Sequence, residues 1–164
     1  MEAVVIKAMN ESYSKDRDIR NLITYIAGES KKSKAIRYYG GRGVSKEPQK
    51  AAKNIIQVQK HYGKADKRRI FHFVVAFPCN MDDAGLVKIV AENIVHMFSD
   101  RYQIFYGVHE DTENLHIHFA VNTVSFVDGK KLHQSKKEFE GMKKDIIEIV
   151  KKIEETKKGL LQNN

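Results

Sequence analysis

The chain of 164 residues is long enough for one ordinary domain with a sizeable core, and its 41% hydrophobic content favours a folded globule. It carries 29 Lys and Arg against 21 Asp and Glu, and the net charge of +8 favours a polyanionic partner, nucleic acid first and an anionic membrane surface second. The single cysteine, Cys79, excludes an internal disulfide and indicates a reducing, cytoplasmic setting. No apolar run approaches the roughly 20 residues of a membrane span, so we expect no membrane insertion.

The apolar residues recur with the periods of helices and strands, and these periods divide the chain into alternating elements. In chain order they predict a strand at 3–9, a helix at 16–27, a mobile hairpin or loop at 31–43, a helix opened by Ser45 to Pro48 and ending near His61, a strand at 70–77, a helix capped by Asn80 or Asp82 and ending at Phe98, strands at 102–109 and 115–124, a turn at Asp128 and Gly129, and a long helix at 136–161. This order favours a single α+β domain, residues 1–164, with a mostly antiparallel sheet and a long C-terminal helix.

Three of the seven histidines lie close together, at His109, His116 and His118. If the segment that holds the last two is a strand, both point to one face, because side chains alternate along a strand. His109 can add a third nitrogen from the preceding strand. Neutral imidazoles suit Mn, Ni, Cu, Fe or Zn better than Mg or Ca. The pattern predicts a three-histidine metal site with open positions for a substrate; the alternative is a pair of satisfied surface histidines.

Polar residues near the histidines are candidates for orienting the imidazoles from outside the coordination sphere. Glu110 and Asp111 lie directly beside the cluster, although a solvated turn is the alternative for both. Asn122 shares the face of His116 and His118 and can bond either a ligand or a neighbouring loop. His72, between two phenylalanines on its own strand, faces away from them and can line the same cleft.

At these residues the chain resembles the relaxases, the mobilization nucleases of conjugative and mobilizable elements. The segment from His109 to Asn122 is similar to the long histidine–hydrophobe–histidine signature of their MobP-type branch. Weaker likenesses at Leu22–Ile26 and Ile70–Phe77 extend the resemblance over most of the chain. The resemblance implies a five-stranded antiparallel sheet flanked by helices, and Mg²⁺ or Mn²⁺ bound by the three histidines. Relaxases usually continue into further domains, so the chain is either a compact stand-alone form or the N-terminal part of a longer protein.

Tyr25 stands where the relaxases carry their nucleophilic tyrosine. The residues give independent support, because Tyr25 lies roughly 120° from the centre of the apolar stripe of its helix at about 100° per residue. A tyrosine that the core does not need can point its hydroxyl at a cleft, although a tyrosine on the helix surface is the alternative. Tyr38 and Tyr39 are rival nucleophiles, and Tyr13 is a more distant one.

This combination predicts a metal-dependent, site- and strand-specific nicking and joining of single-stranded DNA. The Tyr25 phenolate would attack the scissile phosphate, which gives a 5′-phosphotyrosine link and a free 3′-hydroxyl. Tyrosine has a pKa near 10, so a base or the metal must help it ionise. The partner implied is single-stranded DNA at a transfer origin, with a hairpin and a nick site, together with accessory relaxosome proteins and a coupling protein.

Two basic clusters are candidates for holding that DNA. Positive charge holds phosphates, and interleaved aromatic rings stack on bases, a combination typical of single-strand binding. The candidates are Lys31, Lys32, Lys34, Arg37, Tyr38, Tyr39 and Arg42 in the first cluster and Lys67, Arg68 and Arg69 in the second. A solvated loop is the alternative for each cluster. Contacts to phosphate predict binding that weakens steeply with salt.

Other functions are also compatible with these residues. A rolling-circle replication initiator would use the same chemistry at an origin of replication. A non-catalytic DNA-binding module would keep the fold without the reaction, and a metal-dependent hydrolase would use water in place of tyrosine. Replacement of Tyr25 by phenylalanine separates the tyrosine mechanism from hydrolysis, because only the former forms a covalent adduct.

Overall fold

The histidine strand is the central strand of the sheet in the computed structural model, which describes residues 4–30, 36–110 and 114–163. The elements in chain order are β1 (Val5–Ala8), α1 (Asp16–Ile26), β2 (Ile36–Arg42), α2 (Pro48–His61), β3 (Ile70–Ala76), α3 (Ala84–His96), β4 (Ile104–His109), β5 (His116–Asn122) and α4 (Lys136–Gln162). None of the described helices is both long enough and apolar enough to cross a membrane.

The five strands form one antiparallel sheet in the order β1-β3-β5-β4-β2. In this register His116 on β5 lies opposite His109 on β4, and His118 lies opposite Gly107. The central strand thus receives its third histidine from a direct neighbour. The predicted α+β fold, with a five-stranded antiparallel sheet, flanking helices and a long C-terminal helix, is confirmed.

Side-chain alternation gives the two faces of the sheet different environments. One face carries Phe73, Phe119 and their neighbours, and it packs against α3 and α4 as the larger hydrophobic core. The other face packs Phe105 and its neighbours against α1 and α2 in a smaller core. Beyond these two helices the second face stays open, and Val5 at the edge is 48% exposed. The histidines lie on this second face, which α1 and α2 leave accessible in part.

The segment before α2 differs from its prediction as a hairpin or loop, since residues 36–42 form the edge strand β2. Gly40 and Gly41 suggested a turn, but both lie within the strand, where there is little room for a side chain. A Cβ at Gly41 would overlap the carbonyl oxygen of Ile104, and one at Gly40 would lie 3.3 Å from the ring of Tyr106. These glycines therefore permit close approach of β2 to β4, which is the second common use of glycine in a strand.

Element ends also differ slightly from the predictions. The side chain of Asp83, rather than Asn80 or Asp82, caps α3 by accepting a hydrogen bond from the amide of Leu86 at 3.0 Å. Helix α2 begins with Pro48 after Glu47, and no side chain caps it. The turn at Gly129 forms as predicted, with a φ of 73° that glycine tolerates.

Candidate active site

The structure brings the three predicted histidines together. One nitrogen from each of His109, His116 and His118 lies within 4.8 Å of the others. Their ring centroids are 4.6 to 5.4 Å apart. The arrangement follows from the antiparallel register, because His109 and His116 are direct partners and Gly107 leaves space opposite His118. Three converging imidazoles on adjacent strands form the geometry of a metal-ligand set.

Backbone carbonyls fix the protonated nitrogen of two of these rings. Nε2 of His109 donates to the carbonyl oxygen of Ile26 at 3.0 Å, and Nδ1 of His116 donates to that of Asn114 at 3.0 Å. A carbonyl oxygen only accepts, so in the neutral rings Nδ1 of His109 and Nε2 of His116 carry the lone pairs. Hydrogen bonds of this kind commonly orient histidines that bind metals.

The third ring, His118, bonds to another histidine. Its Nδ1 lies 2.9 Å from Nε2 of His72, and Nδ1 of His72 lies 2.6 Å from the hydroxyl of Tyr13. Burial, reinforced by the neighbouring histidines, lowers the pKa of His118 to about 2. Burial also lowers the pKa of His72 to about 4, with His109 as a further cause. Both rings are neutral at pH 7, and neutral imidazole is the form that binds a metal.

These residues fit a divalent metal ion. They provide three nitrogen donors, two of them with a lone pair fixed by a backbone carbonyl, in neutral rings at the border of an open sheet face. An all-nitrogen set suits Mn²⁺ and later transition metals better than Mg²⁺, which prefers oxygen. Three protein ligands leave coordination positions for substrate oxygens. The donor chemistry thus agrees with metal binding at the histidines.

Tyr25 lies against this cluster. Its ring centroid is 5.2 Å from that of His109 and 5.2 Å from that of His118. The sequence places it there because the apolar stripe of α1 is buried against the sheet and Tyr25 is half-buried beside that stripe. The last turn of α1 sits directly over β4, where a Cβ on Gly107 would overlap the carbonyl of Ile26.

Tyr13 was ranked as a distant rival nucleophile, and the structure places it differently. It is 8% exposed, and its hydroxyl contacts His72. Burial raises the pKa of Tyr13, with Glu11 and Asp18 as further causes, so its phenol stays protonated. Sequence reasoning put His72 on the cleft side of its strand, which the structure shows, but it gave no sign that Tyr13 and His118 would flank it.

Asn122 does not join the histidines. Its side-chain oxygen accepts from Gln59 at 2.9 Å and from the amide of Val124 at 3.0 Å, while its nitrogen donates to Gln103 at 2.8 Å. These contacts, with a longer one to the carbonyl of Ile55, use the bonding capacity of the amide. Asn122 therefore ties the far end of β5 to α2 and to Gln103, the residue before β4, and its predicted role in orienting an imidazole has no support in these contacts.

Arg69 was predicted to bind DNA, but the structure buries its side chain and pairs it within the protein. Its side chain is 2% exposed, and it donates to Asp16 and Gln59 at 2.7 Å each. Sequence could not separate it from Arg68, but Arg69 directly precedes β3 at the point where that strand enters the smaller core. It is a buried structural arginine that connects the beginning of α1 to α2 and β3.

The other predicted DNA contacts lie in different places. Tyr39 is 43% exposed and is paired with Gly107, so it shares the face of the histidines. Tyr38 is on the opposite face of the sheet, where the ammonium of Lys88 lies 4.9 Å from its ring centroid. Arg42, Lys67 and Arg68 are exposed. Lys31, Lys32, Lys34 and Asp111 lie outside the described residues.

Glu110 is paired with Arg37 through a 2.7 Å contact between Nε and a carboxylate oxygen. The side chain of Arg37 is 57% exposed and that of Glu110 is 35% exposed, and the carboxylate raises the pKa of the guanidinium. Glu110, the residue after β4, therefore links the end of that strand to the edge strand β2 next to the site. This pairing differs from its predicted role of bonding an imidazole, and it holds Arg37 near the open face.

Comparisons with known proteins agree with this fold. A structure from work on the molecular basis of vancomycin resistance transfer in Staphylococcus aureus is similar over 95% of this chain and 94% of that chain, with a TM-score of 0.72 at 10% sequence identity. The family model of the MobA/VirD2-like relaxase nuclease domain matches residues 25–156, which include Tyr25 and all three histidines. No curated protein sequence matches the chain.

Fold, site and family match together define a nuclease domain that acts on DNA. The chain belongs to the relaxases, in the MobA/VirD2-like nuclease-domain family, and is a DNA-nicking enzyme of mobilization.

Proposed function

We propose that this relaxase domain nicks and rejoins single-stranded DNA by transesterification, with Tyr25 as the nucleophile and His109, His116 and His118 as the ligands of a divalent metal ion. The reaction would initiate conjugative transfer or mobilization of a plasmid or integrative element. The observation that carries the proposal is the contact of the Tyr25 ring with both His109 and His118, at 5.2 Å between centroids. The proposed nucleophile and the proposed metal ligands thus lie in contact, which is the proximity that the transesterification needs.

In the proposed reaction, the phenolic oxygen of Tyr25 attacks the scissile phosphorus in line with the bond to the 3′ oxygen. The new bond joins that oxygen to phosphorus, the bond to the 3′ oxygen breaks, and the departing oxygen takes up a proton. The phenolic proton of Tyr25 leaves to solvent or a base. One phosphodiester replaces another, so the strand can be rejoined by the reverse reaction without ATP.

The histidines have two tasks in this proposal. They hold the cation that, when bound, offsets the negative charge that develops on the phosphate oxygens. They also form one wall of the site, because the rings of His109 and His118 contact Tyr25 and restrict where its hydroxyl can point. Nitrogen ligands favour Mn²⁺, with Mg²⁺ the other candidate.

The DNA strand would cross the open part of the second sheet face. Tyr39 supports this path, since its ring is exposed, shares that face and packs 5.9 Å from Phe105. A ring held in this way can stack on a base beside the scissile phosphate. Arg37 and Arg42, on the same edge strand, would supply positive charge near the phosphates. A hairpin of the transfer origin, accessory relaxosome proteins and a coupling protein complete the predicted set of partners.

The test is incubation of the protein with labelled single-stranded oligonucleotides of mixed sequence, in Mn²⁺ or Mg²⁺ and in EDTA. We expect a product that migrates with the protein on a denaturing gel, that needs metal, and that Tyr25→Phe abolishes while Mn²⁺ binding stays intact. Tyr62→Phe is the matched control and should still form the adduct, since the hydroxyl of Tyr62 donates to the carbonyl of Phe126 outside the proposed site. Metal-dependent cleavage by Tyr25→Phe, without any adduct from the unaltered protein, would show hydrolysis by water and overturn the proposal.

A further inference from the structure

A buried line of three side chains leads away from the histidine cluster. The hydroxyl of Tyr13 bonds Nδ1 of His72, and Nε2 of His72 bonds Nδ1 of His118. All three residues are buried, at 8%, 5% and 6% exposure. Both ring nitrogens of His72 are therefore engaged in hydrogen bonds. This leaves it no nitrogen with which to join the metal as a fourth ligand.

We propose that His72 and Tyr13 are positioning residues that keep the proton of His118 on Nδ1 and thereby present its Nε2 lone pair to the metal. The inference rests on the proposed function, in which His118 is a ligand. It assigns these two residues a task that the family membership and the reaction do not specify.

The direction of the hydrogen bonds follows from ligation. If His118 accepted from His72, its own proton would have to lie on Nε2, and that nitrogen could not bind a metal. A ligating His118 must therefore donate from Nδ1 to Nε2 of His72. Neutral His72 then carries its proton on Nδ1 and donates it to the oxygen of Tyr13. Only one of the two directions along the line is compatible with a metal at the cluster.

The backbone of Tyr13 shows that this contact is built into the fold. Tyr13 has a φ of 52°, in the left-handed region that a residue with a bulky side chain rarely adopts. The segment around it is held against β3, since the amide of Met9 donates to the carbonyl of His72 and the amide of Arg69 donates to that of Ser12. These anchors on both sides bring the hydroxyl of Tyr13 to 2.6 Å from His72.

The proposed role of His72 is to accept a hydrogen bond, and this can be distinguished from a role in packing alone. A phenylalanine at position 72 would occupy the same volume but would leave the Nδ1 proton of His118 without an acceptor, and the ring could then turn or change tautomer. A glutamine would keep an acceptor oxygen in reach. The two substitutions therefore separate hydrogen bonding from packing.

The experiment measures Mn²⁺ affinity by calorimetric titration of the full chain and its variants, after circular dichroism has shown which are folded. Loss of a partner outside the coordination sphere commonly costs about 10- to 100-fold in metal affinity. We expect a loss in this range for His72→Phe, a smaller loss for Tyr13→Phe and partial recovery in His72→Gln. His96→Gln, at the exposed end of α3, is the matched control and should bind as the unaltered protein does.

A second readout needs no substitution. Nitrogen-15 correlation spectra of the unaltered protein with Zn²⁺, a diamagnetic probe, report which ring nitrogen of His118 carries the proton. We expect Nδ1–H, and a proton on Nε2 of His118 would overturn the inference. Unchanged Mn²⁺ affinity in folded His72→Phe would overturn it as well, and would leave the proposed function standing. If the unaltered protein bound neither Mn²⁺ nor Zn²⁺, the proposed function would fail together with the inference.

Discussion

Nε2 of His109 donates a hydrogen bond to the carbonyl oxygen of Ile26 at 3.0 Å, and this contact joins strand β4 to the last turn of α1. Tyr25 is the residue before Ile26, so one bond relates the proposed nucleophile to a proposed metal ligand. The same bond places the proton of His109 on Nε2 and its lone pair on Nδ1. The positions of the proposed nucleophile and of the proposed metal ligand are therefore coupled through the docking of α1.

Gly107→Ala should impair nicking strongly, because the added Cβ would overlap the carbonyl of Ile26 and force α1 away from β4. Misplacement of a reacting group by about 1 Å can cost about 100-fold in rate, and we expect a loss of that order in adduct formation. The measurement is the rate at which the protein forms a covalent adduct with an oligonucleotide that carries the sequence it cleaves. Gly141→Ala is the control, since nothing lies within 4 Å of its added Cβ. Equal rates for Gly107→Ala and the unaltered protein would contradict the coupling.

Arg69→Ala should lower the stability of the protein, whereas Arg68→Ala should weaken its binding to DNA. Loss of the buried Arg69 guanidinium removes one hydrogen bond each from Asp16 and from Gln59 Oε1 and leaves a cavity in the smaller core, and we expect the free energy of unfolding to fall by about 3 kcal/mol. Loss of the exposed Arg68 should change stability by less than about 0.5 kcal/mol. If Arg68 contacts a phosphate, its loss should reduce the salt slope of DNA binding by about 1.

Urea unfolding and binding titrations at several salt concentrations measure both quantities. An Arg69→Ala variant that is as stable as the unaltered protein but has a reduced salt slope of DNA binding would show that Arg69 contacts DNA.

The metal-free protein should lose stability in mild acid. Histidine titrates near a pKa of 6.5 in the unfolded chain, whereas burial lowers the pKa of His72 to about 4 and that of His118 to about 2. Between pH 6.5 and 4 the unfolded chain thus binds protons at two positions where the folded protein does not. The free energy of unfolding should fall as the pH is lowered through this window, by about 1.4 kcal/mol per pH unit for each histidine.

Urea unfolding in EDTA at pH 7.5, 6.5 and 5 measures this dependence. Folded His72→Gln should show about half of the slope, because one of the two groups is removed. Equal stability of the unaltered protein at pH 6.5 and 5 would contradict the neutral, buried state of both rings.

Local pattern predicted most of the fold. Periods of 2 and 3.6 residues located β3, β5, α1 and α4 because each of these elements buries one face along its own length. The same alternation placed His116, His118 and His72 on the cleft side of their strands. The prediction of a turn at Gly40 and Gly41 was wrong, since glycine is favoured both in turns and where two strands approach closely.

Contacts between distant segments could not be predicted in this way. Tyr13 and His72 are 59 residues apart, and nothing in either segment indicates the other. Arg68 and Arg69 are neighbours of the same residue type, yet Arg68 is exposed and Arg69 is buried. The start of β3 at Ile70 decides which of the two is buried, and the composition of the segment does not show this. Asn122 lies on the face that the alternation predicted, yet its side-chain partners are Gln59 on α2 and Gln103 just before β4, at the far end of the strand.

The central claim is that Tyr25 and the three histidines act as one phosphoryl-transfer site. Its most direct test is to digest the covalent protein–DNA product with protease and identify the modified peptide by mass spectrometry. The account predicts a single nucleotide-bearing peptide, with the phosphate on Tyr25 and a 5′ linkage, formed in Mn²⁺ and absent in EDTA or in His118→Ala. A phosphate on Tyr38, Tyr39 or Tyr13, or an adduct at Tyr25 that forms equally well in EDTA, would contradict it.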